Sequence, residues 1–347
     1  MRRCLQMAEN GRGLVSPNPM VGAVVVCDNK IIGEGYHIAY GEPHAEVNAI
    51  ASVKDQNMLQ HSTLYVNLEP CSHHGKTPPC ADLIIRKKIP RVVIGQQDPY
   101  LQVAGRGIGM LKAAGVDVVC GVLEDACREL NKRFICYHTQ QRPYIILKWA
   151  QSADGFMDKK RIMGDGQLPV IFSDEFSRMR VHKLRAEEDA IMVGTRTALL
   201  DNPSLNVRYW SGKNPLRIAI DRQGEIPRKH KLRSTKDNTL IFTENKNMKS
   251  APYVLLDSET NVLEQVLETI YQKKILSLIV EGGSKLLNSF INADLWDEAN
   301  IEISPICLED GILAPCIRGK RIMSDTRGKA AFDIYKNRYN TLKKYNY

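Results

Sequence analysis

The sequence predicts an α/β protein of two domains, and three observations carry that reading. Short apolar runs alternate with helical segments along most of the chain. Its 347 residues are more than one compact core usually takes. A polar stretch ending in proline, Gln140-Gln141-Arg142-Pro143, interrupts the alternation and places the boundary, giving domains over residues 1–141 and 142–347.

In the first domain, Val21 to Cys27 reads as a strand because it is a short apolar run bounded by Pro19 and Asp28-Asn29. Ile31 to Tyr36 is its hairpin partner. Pro43 opens a helix through Ile50, since proline suits a first helical turn. Thr63 to Leu68 is a second buried strand, ended by Pro70, and Pro79 starts a helix over Cys80 to Lys88. A strand at Arg91 to Gly95, a helix at Gly107 to Ala114, a strand at Val116 to Cys120 and a helix at Glu124 to Tyr137 complete it. The second domain restarts with a strand at Tyr144 to Trp149 and a helix at Ser173 to Ala186. Ala190 to Val193 is a strand, followed by a loop through Asp201-Asn202-Pro203. Further strands are Leu216 to Asp221, Thr239 to Thr243 and Tyr253 to Leu256. A helix at Val262 to Gln272 and a strand at Ser277 to Val280 lead into Glu281-Gly282-Gly283-Ser284 and a helix to Phe290. Ile301 to Ser304 is a strand. Beyond Gly319 the chain is rich in Lys, Arg, Asn and Tyr, with one further strand expected at Ala331 to Tyr335.

Composition narrows the class. A hydrophobic content of 43% with 25% charged residues is ordinary for a globular protein. No run of 18 apolar residues exists, so no transmembrane helix is expected. Met1-Arg2-Arg3-Cys4 leads into no long apolar stretch, so no secretory signal is expected. Nine cysteines, an odd number, suit reduced thiols in a cytoplasmic protein. Seven of them (Cys4, Cys27, Cys120, Cys127, Cys136, Cys307 and Cys316) are expected to be inert and mostly buried. The formal charge of +9 fits a solvated basic surface or phosphorylated ligands. Apart from an Arg/Lys-rich stretch at 217–236, the basic residues are dispersed, with no tract of the kind that binds nucleic acid.

Cys71 and Cys80 need a different account. With His44 they make a three-ligand zinc set, and a catalytic zinc keeps its fourth position for water. Zinc takes thiolate and neutral imidazole. Cys71 after Pro70 and Cys80 after Pro79 both read as helix starts, where partial positive charge favours a thiolate. Glu46, two residues from His44, stands where a proton shuttle is needed. Zinc deaminases pair His-x-Glu with Pro-Cys-x-x-Cys. Here the first part matches, but eight residues, Ser72 to Pro79, separate the cysteines. A closed structural zinc with His73 or His74 as fourth ligand, or plain buried thiols, are the alternatives.

The strings Ser16-Pro17-Asn18-Pro19-Met20-Val21-Gly22, Gly41-Glu42-Pro43-His44-Ala45-Glu46-Val47 and Leu68-Glu69-Pro70-Cys71 through Pro79-Cys80 are distinctive. So are Gln97-Asp98-Pro99, Val103-Ala104-Gly105-Arg106-Gly107, Ser152-Ala153-Asp154-Gly155 and Val280-Glu281-Gly282-Gly283. Together they resemble the bifunctional riboflavin-biosynthesis deaminase–reductases, up to about residue 320. The resemblance implies a three-layer αβα cytidine-deaminase-like domain followed by a dihydrofolate-reductase-like α/β domain. It implies zinc and NADPH as cofactors, and deamination of a phosphorylated diaminopyrimidinone before reduction of its ribosyl group to ribityl. Partners would be that small phosphorylated pyrimidine and further copies of the chain, as a dimer or tetramer, with no nucleic acid and no membrane. It also puts a helix at the N-terminus, within which the chain begins.

By the same resemblance, Asn18 hydrogen-bonds the pyrimidine and Lys76 meets the phosphate, with His37 and His74 as further candidates. Ala150, Thr197, Asp201 and the run Gly283, Ser284, Lys285, Leu286, Leu287, Asn288 and Ser289 line the cofactor. Arg185 and Arg208 grip the substrate phosphate, as guanidinium forks can, and Leu205 and Glu281 complete the pocket. On residue type alone, Asn18 is equally a turn residue between prolines, and Lys76 a solvated loop lysine. Arg185 could pair with Glu187, Glu188 or Asp189, and Asp201-Asn202-Pro203 could be a plain turn. No Gly-x-Gly-x-x-Gly follows a strand, so a Rossmann fold is not supported; Val280 to Ser284 nonetheless runs a strand into two glycines and a helix start, which suits a phosphate. Many relatives carry Gly-x-Ser-x-Trp-Ile where this chain has Gly166 to Phe172 without that serine or tryptophan. The competing reading is a nucleic-acid base deaminase whose second domain is an accessory binding module.

Overall fold

Met1–Gln141 and Arg142–Tyr347 form two units. The structure, a computed structural model, describes residues 1–73, 78–100, 104–234, 238–248 and 250–338.

The first unit runs α1 (Arg2–Glu9), β1 (Gly22–Cys27), β2 (Lys30–Tyr36), α2 (Ala45–Ala51), β3 (Thr63–Leu68), α3 (Cys80–Arg86), β4 (Arg91–Gln96), α4 (Arg106–Ala113), β5 (Asp117–Cys120), α5 (Glu124–Leu130) and α6 (Lys132–Gln140). A 3-10 turn, Gln56–His61, precedes β3. The sheet order is β2-β1-β3-β4-β5, with β1 antiparallel to both neighbours and β3, β4 and β5 parallel. Alternation along the strands divides the core. Ala23, Val25, Leu64, Val66, Val92 and Ile94 face Ala49, Ile50, Ile84 and Leu111 of the helices α2, α3 and α4. On the opposite face lie Ala8 of α1 and Leu130 of α5, with Val15 and Met20. Each valine or isoleucine so buried contributes about 1.5–3 kcal/mol. Helices on both faces make this the three-layer, cytidine-deaminase-like arrangement. Gly22 lets α1 approach β1: a Cβ there would lie 2.1 Å from the Cys4 carbonyl oxygen.

Three expectations are corrected here. The helix expected over Glu124 to Tyr137 is two, because the Asn131 side chain is drawn to the Met20 backbone, accepting its N–H at 2.8 Å and donating to its carbonyl at 3.0 Å. His44 is not in the first turn of α2 but is its extended N-cap (φ −69°, ψ 161°). Cys71 begins no helix; among the described residues the helix that follows it is α3, which starts at Cys80.

The second unit runs β6 (Tyr144–Gln151), β7 (Phe156–Asp158), α7 (Glu175–Glu187), β8 (Ala190–Gly194), α8 (Thr195–Asp201), β9 (Leu216–Ile220), α9 (Lys231–Ser234), β10 (Thr239–Thr243), β11 (Tyr253–Leu255), α10 (Val262–Gln272), β12 (Ser277–Val280), α11 (Ser284–Asn292), β13 (Glu298–Ile303), β14 (Ile312–Leu313), β15 (Gly319–Arg327) and β16 (Ala330–Asn337). Among the described residues nine strands form one sheet in the order β11-β10-β9-β8-β12-β6-β13-β16-β15; β14 pairs separately with β7. From β11 to β13 all pairs are parallel, and β13-β16-β15 are antiparallel. A parallel sheet covered on both faces explains why Ser277–Val280 is buried throughout. Ile145, Leu147, Met192, Leu278 and Val280 pack under Val266 and Ile270 of α10 and Leu287 and Phe290 of α11. Ile191, Val193, Ala219, Ile241 and Ile279 form the other face with Ala198 and Leu232. This parallel sheet closed by an antiparallel hairpin is the dihydrofolate-reductase-like fold.

Within residues 319–338 the strand expected at Ala331 to Tyr335 is β16, and it pairs with β15, which was not expected, to make that hairpin. Its charged residues fit an outer strand, where Lys and Arg discourage further pairing. Of the seven cysteines expected to be buried, Cys4, Cys27, Cys127 and Cys136 are, whereas Cys120, Cys307 and Cys316 are exposed. Among the described residues no helix is long and apolar enough to cross a membrane.

Candidate functional site

The first cluster lies at the starts of two helices in the first unit. His44 caps α2, Cys80 opens α3, and Cys71 follows the end of β3. Their ligand atoms all lie within 4.8 Å of one another. His44 Nδ1 is 3.6 Å from Cys71 Sγ and 3.4 Å from Cys80 Sγ. A tetrahedral zinc, with Zn–S of about 2.3 Å and Zn–N of about 2.0–2.1 Å, demands an N···S separation of about 3.6 Å. The donor set therefore fits zinc in both type and spacing.

Its electrostatics ask for a cation. The Cys80 thiol donates to Cys71, and His44 and the Cys80 backbone N–H, 3.2 Å away, add to it; Cys71 is held down to about 4. So the positive end of α3 does act on Cys71, although no helix begins there. Cys80 is pushed far up by the thiolate it faces, so the pair releases a second proton only when a cation arrives. Glu46, in the first turn of α2, is 3% exposed. Burial, and next the Cys71 thiolate, push its carboxyl up to about 7. A carboxyl buried beside a possible metal site is a candidate for general acid–base work.

The loop before β1 is tied to this cluster. His37, 3% exposed, directs Nδ1 to the Pro43 carbonyl at 3.1 Å. A carbonyl only accepts, so Nδ1 carries the hydrogen and Nε2 accepts the Asn18 amide at 3.0 Å. Burial lowers the affinity of His37 for a second proton. The Asn18 amide orientation is thereby fixed, its oxygen left for another donor. Sequence reasoning missed what holds this loop: the buried Asn67 donates to the Met20 carbonyl and accepts the Gly22 N–H, beside Asn131. It also missed Glu69, whose carboxylate accepts the backbone N–H groups of Asp98, Gly105 and Ile108 and pins that segment beside Cys71. Buried amides and a carboxylate at strand ends are the visible signal. Lys76 and His74 lie outside the described residues.

The second cluster lies at the carboxyl ends of β6, β8 and β12, where α/β sheets bind ligands. Gly282 and Gly283 lead from β12 into α11; a Cβ on Gly282 would lie 3.3 Å from the Gly194 nitrogen that ends β8. Thr197 Oγ1 accepts the Gly283 N–H at 2.8 Å. Among the described residues no side chain caps α11, so the N–H groups of Ser284 and Lys285 at its start remain open to an anion. Ser284 and Lys285 sit in that first turn, and Ala150 near the end of β6. The rest of the predicted run diverges, as a helix must: Leu287 is in the core, Asn288 donates to Ser284, Ser289 bonds back to the Lys285 carbonyl, and Leu286 packs near Gly194. Asp201, at the end of α8, is held by Arg161 at 2.6 Å, which also binds Asp158. Leu168 and Ile171, in the stretch lacking the family's serine and tryptophan, are exposed.

Arg185 pairs with Glu281 at 2.6 Å and donates to the Asn206 carbonyl at 3.3 Å, rather than pairing with its neighbours in sequence. Burial works to raise Glu281, but Arg185 and Lys148 outweigh it and hold the carboxylate down. Leu205 is in the core with φ +50°, turning the chain so that Arg208 Nη1 donates to Asn206 Oδ1. The Arg208 backbone N–H donates to His182 Nδ1 at 2.8 Å. Lys148, Asn206 and His182 were not singled out in the sequence. A lysine within Tyr144–Gln151, an otherwise largely apolar strand, and a histidine one turn before Arg185 are the traces they leave.

These two sites define a zinc-dependent deaminase unit joined to a reductase unit. Residues 1–96 match the family model described as the cytidine and deoxycytidylate deaminase zinc-binding region, and residues 143–313 match the RibD C-terminal domain. The chain is 40% identical to the riboflavin biosynthesis protein RibD of Aquifex aeolicus over 320 residues, covering 90% of this chain and 88% of that one. It is 37% identical to that of Escherichia coli K12 over 325 residues, covering 88% and 86%. A crystal structure of the Thermotoga maritima diaminohydroxyphosphoribosylaminopyrimidine deaminase/5-amino-6-(5-phosphoribosylamino)uracil reductase superposes with a TM-score of 0.87, at 36% identity and 97% coverage of each chain. The chain belongs to the RibD family, the bifunctional deaminase–reductases of riboflavin biosynthesis. Zinc and NADPH are the cofactors of its two activities.

Proposed function

We propose that His44, Cys71 and Cys80 hold the zinc ion and that Glu46 moves the protons of the deamination. The substrate would be 2,5-diamino-6-ribosylamino-4(3H)-pyrimidinone 5′-phosphate, the chemistry named for the Thermotoga relative. Zinc supplies Lewis acidity that makes water a nucleophile near neutral pH. Glu46 accepts one proton of the attacking water and delivers it to the ring nitrogen, then carries the remaining hydroxyl proton to the departing amine. Water replaces the 2-amino group by a carbonyl, and ammonia leaves. The oriented amide of Asn18 holds the pyrimidine, and Lys76 meets the phosphate. In the second unit, Arg185 and Arg208 hold the phosphate, and Leu205 and Glu281 shape the pocket. Ala150, Thr197, Asp201 and Gly283 to Ser289 form the NADPH side, the core-facing Leu287 supporting the helix rather than touching the ligand. The reductase unit then reduces ribosyl to ribityl. The enzyme would work in the cytoplasm as a homo-oligomer, a dimer or tetramer, without nucleic acid.

The observation that carries this reading is a buried Glu46 beside three ligand atoms spaced for zinc. Glu46→Gln should keep about one zinc per chain and full NADPH oxidation on the deaminated phosphate, yet lose deamination by about 10²–10⁴-fold. Wild-type deamination by that variant would remove Glu46 from the mechanism.

A further inference from the structure

His182 sits on α7 one turn before Arg185, on the same helix face, and is 4% exposed. Its Nδ1 receives the Arg208 backbone N–H at 2.8 Å. A backbone N–H can only donate, so Nδ1 carries no hydrogen. Burial, then the guanidinium groups of Arg185 and Arg208, hold the ring neutral, its pKa pushed down to about 4. A neutral imidazole with a bare Nδ1 carries its hydrogen on Nε2. Among the described residues that Nε2–H has no acceptor. The Tyr209 ring meets His182 edge-on at 4.9 Å and fixes its plane.

Charge points to what that donor is for. The charged groups acting on His182 are Arg185 from its own helix, Arg208 from the loop, Lys148 from β6 and Glu281 beyond β12. Three cations thus face one carboxylate, an excess of two positive charges. A phosphate monoester carries about −1.5 to −2 at neutral pH and only accepts hydrogen bonds. A neutral donor adds to such a site without adding repulsion between cations.

We infer that His182 is a substrate-binding residue of the reductase unit, its Nε2–H donating to the substrate phosphate between Arg185 and Arg208 while Nδ1 positions Arg208. This rests on the reading of those two arginines as phosphate ligands.

The test compares reductase kcat/KM on the deaminated phosphate and on its dephosphorylated riboside, for wild type, His182→Asn, His182→Gln and Arg208→Gln. Asparagine keeps an acceptor near the Nδ1 position but has no donor at Nε2; glutamine keeps the donor. His182→Asn should lose about 10-fold or more on the phosphate, mainly through KM, as expected for a hydrogen bond to a charged group. The riboside should be unaffected, and His182→Gln should recover most of the preference for phosphate. Equal losses on both substrates, with Arg208→Gln alone erasing that preference, would make His182 structural and leave the arginine reading standing. A preference intact in both His182→Asn and Arg208→Gln would overturn both. Should the histidine variants fail to fold, titration of ¹⁵N-histidine-labelled wild type with inorganic phosphate decides: the His182 Nε2–H resonance should shift, and an unmoved resonance rejects the contact.

Discussion

Cys71 and Cys80 cannot both be thiolates without a cation, because the Cys80 thiol keeps Cys71 ionised by donating to it, and that thiolate, with burial, raises the cost of ionising Cys80. In metal-free protein the single easy thiolate is Cys71, present well below the ordinary thiol range. Alkylation near pH 6 should therefore label Cys71 far ahead of Cys80, and added zinc should suppress it, as read by peptide mass analysis; equal labelling would refute the shared proton. His182 gives a second test. Its folded pKa of about 4 lies below the ordinary 6.5, so protonation opposes the fold. The stability it contributes is whole above pH 6.5 and drains away as pH falls towards 4. The wild-type Tm should drop more through that window than that of His182→Asn; parallel curves would contradict the assignment. At this scale the cluster of His44, Cys71 and Cys80 was legible, because His-x-Glu and Pro-Cys are local strings. Lys148, His182, Asn206 and Glu281 were not legible as a group: only the sheet order β8-β12-β6 brings their elements together.

Elements with a clear apolar pattern were the easiest to read, whether largely buried strands or an amphipathic helix. Val262–Gln272, Thr239–Thr243 and Ser277–Val280 have the limits expected from their apolar runs. Of the β15–β16 hairpin only β16 was expected; β15 was hidden because an edge strand carries charge on its open side. The break between α5 and α6 was hidden for another reason: Asn131 serves a backbone 111 residues away. Asn131→Ala strands the buried Met20 N–H and should cost about 1–3 kcal/mol in denaturant unfolding. It should also raise the deaminase KM through the Asn18 loop, whereas unchanged stability would mean the amide is dispensable.

The whole chain carries separate cores in its two units, and the polar junction at Gln141–Arg142 falls between them. Arg142 belongs to the second: its guanidinium grips the Asp297 carboxylate through two bonds of 2.6 and 2.8 Å, both groups buried. Arg142→Ala leaves that carboxylate unpaired and should destabilise the reductase unit by about 3–5 kcal/mol, while zinc content stays unchanged. Zinc loss in that variant would show that the two units do not fold separately. Independent cores also allow one activity to be removed without the other. The most direct measurement is to strip zinc from the full-length enzyme with a chelator and follow ammonia release and NADPH oxidation on their respective substrates. Ammonia release should vanish and return with one equivalent of zinc, while reduction of the deaminated phosphate continues throughout. Undiminished ammonia release from zinc-free enzyme would contradict the account at its centre.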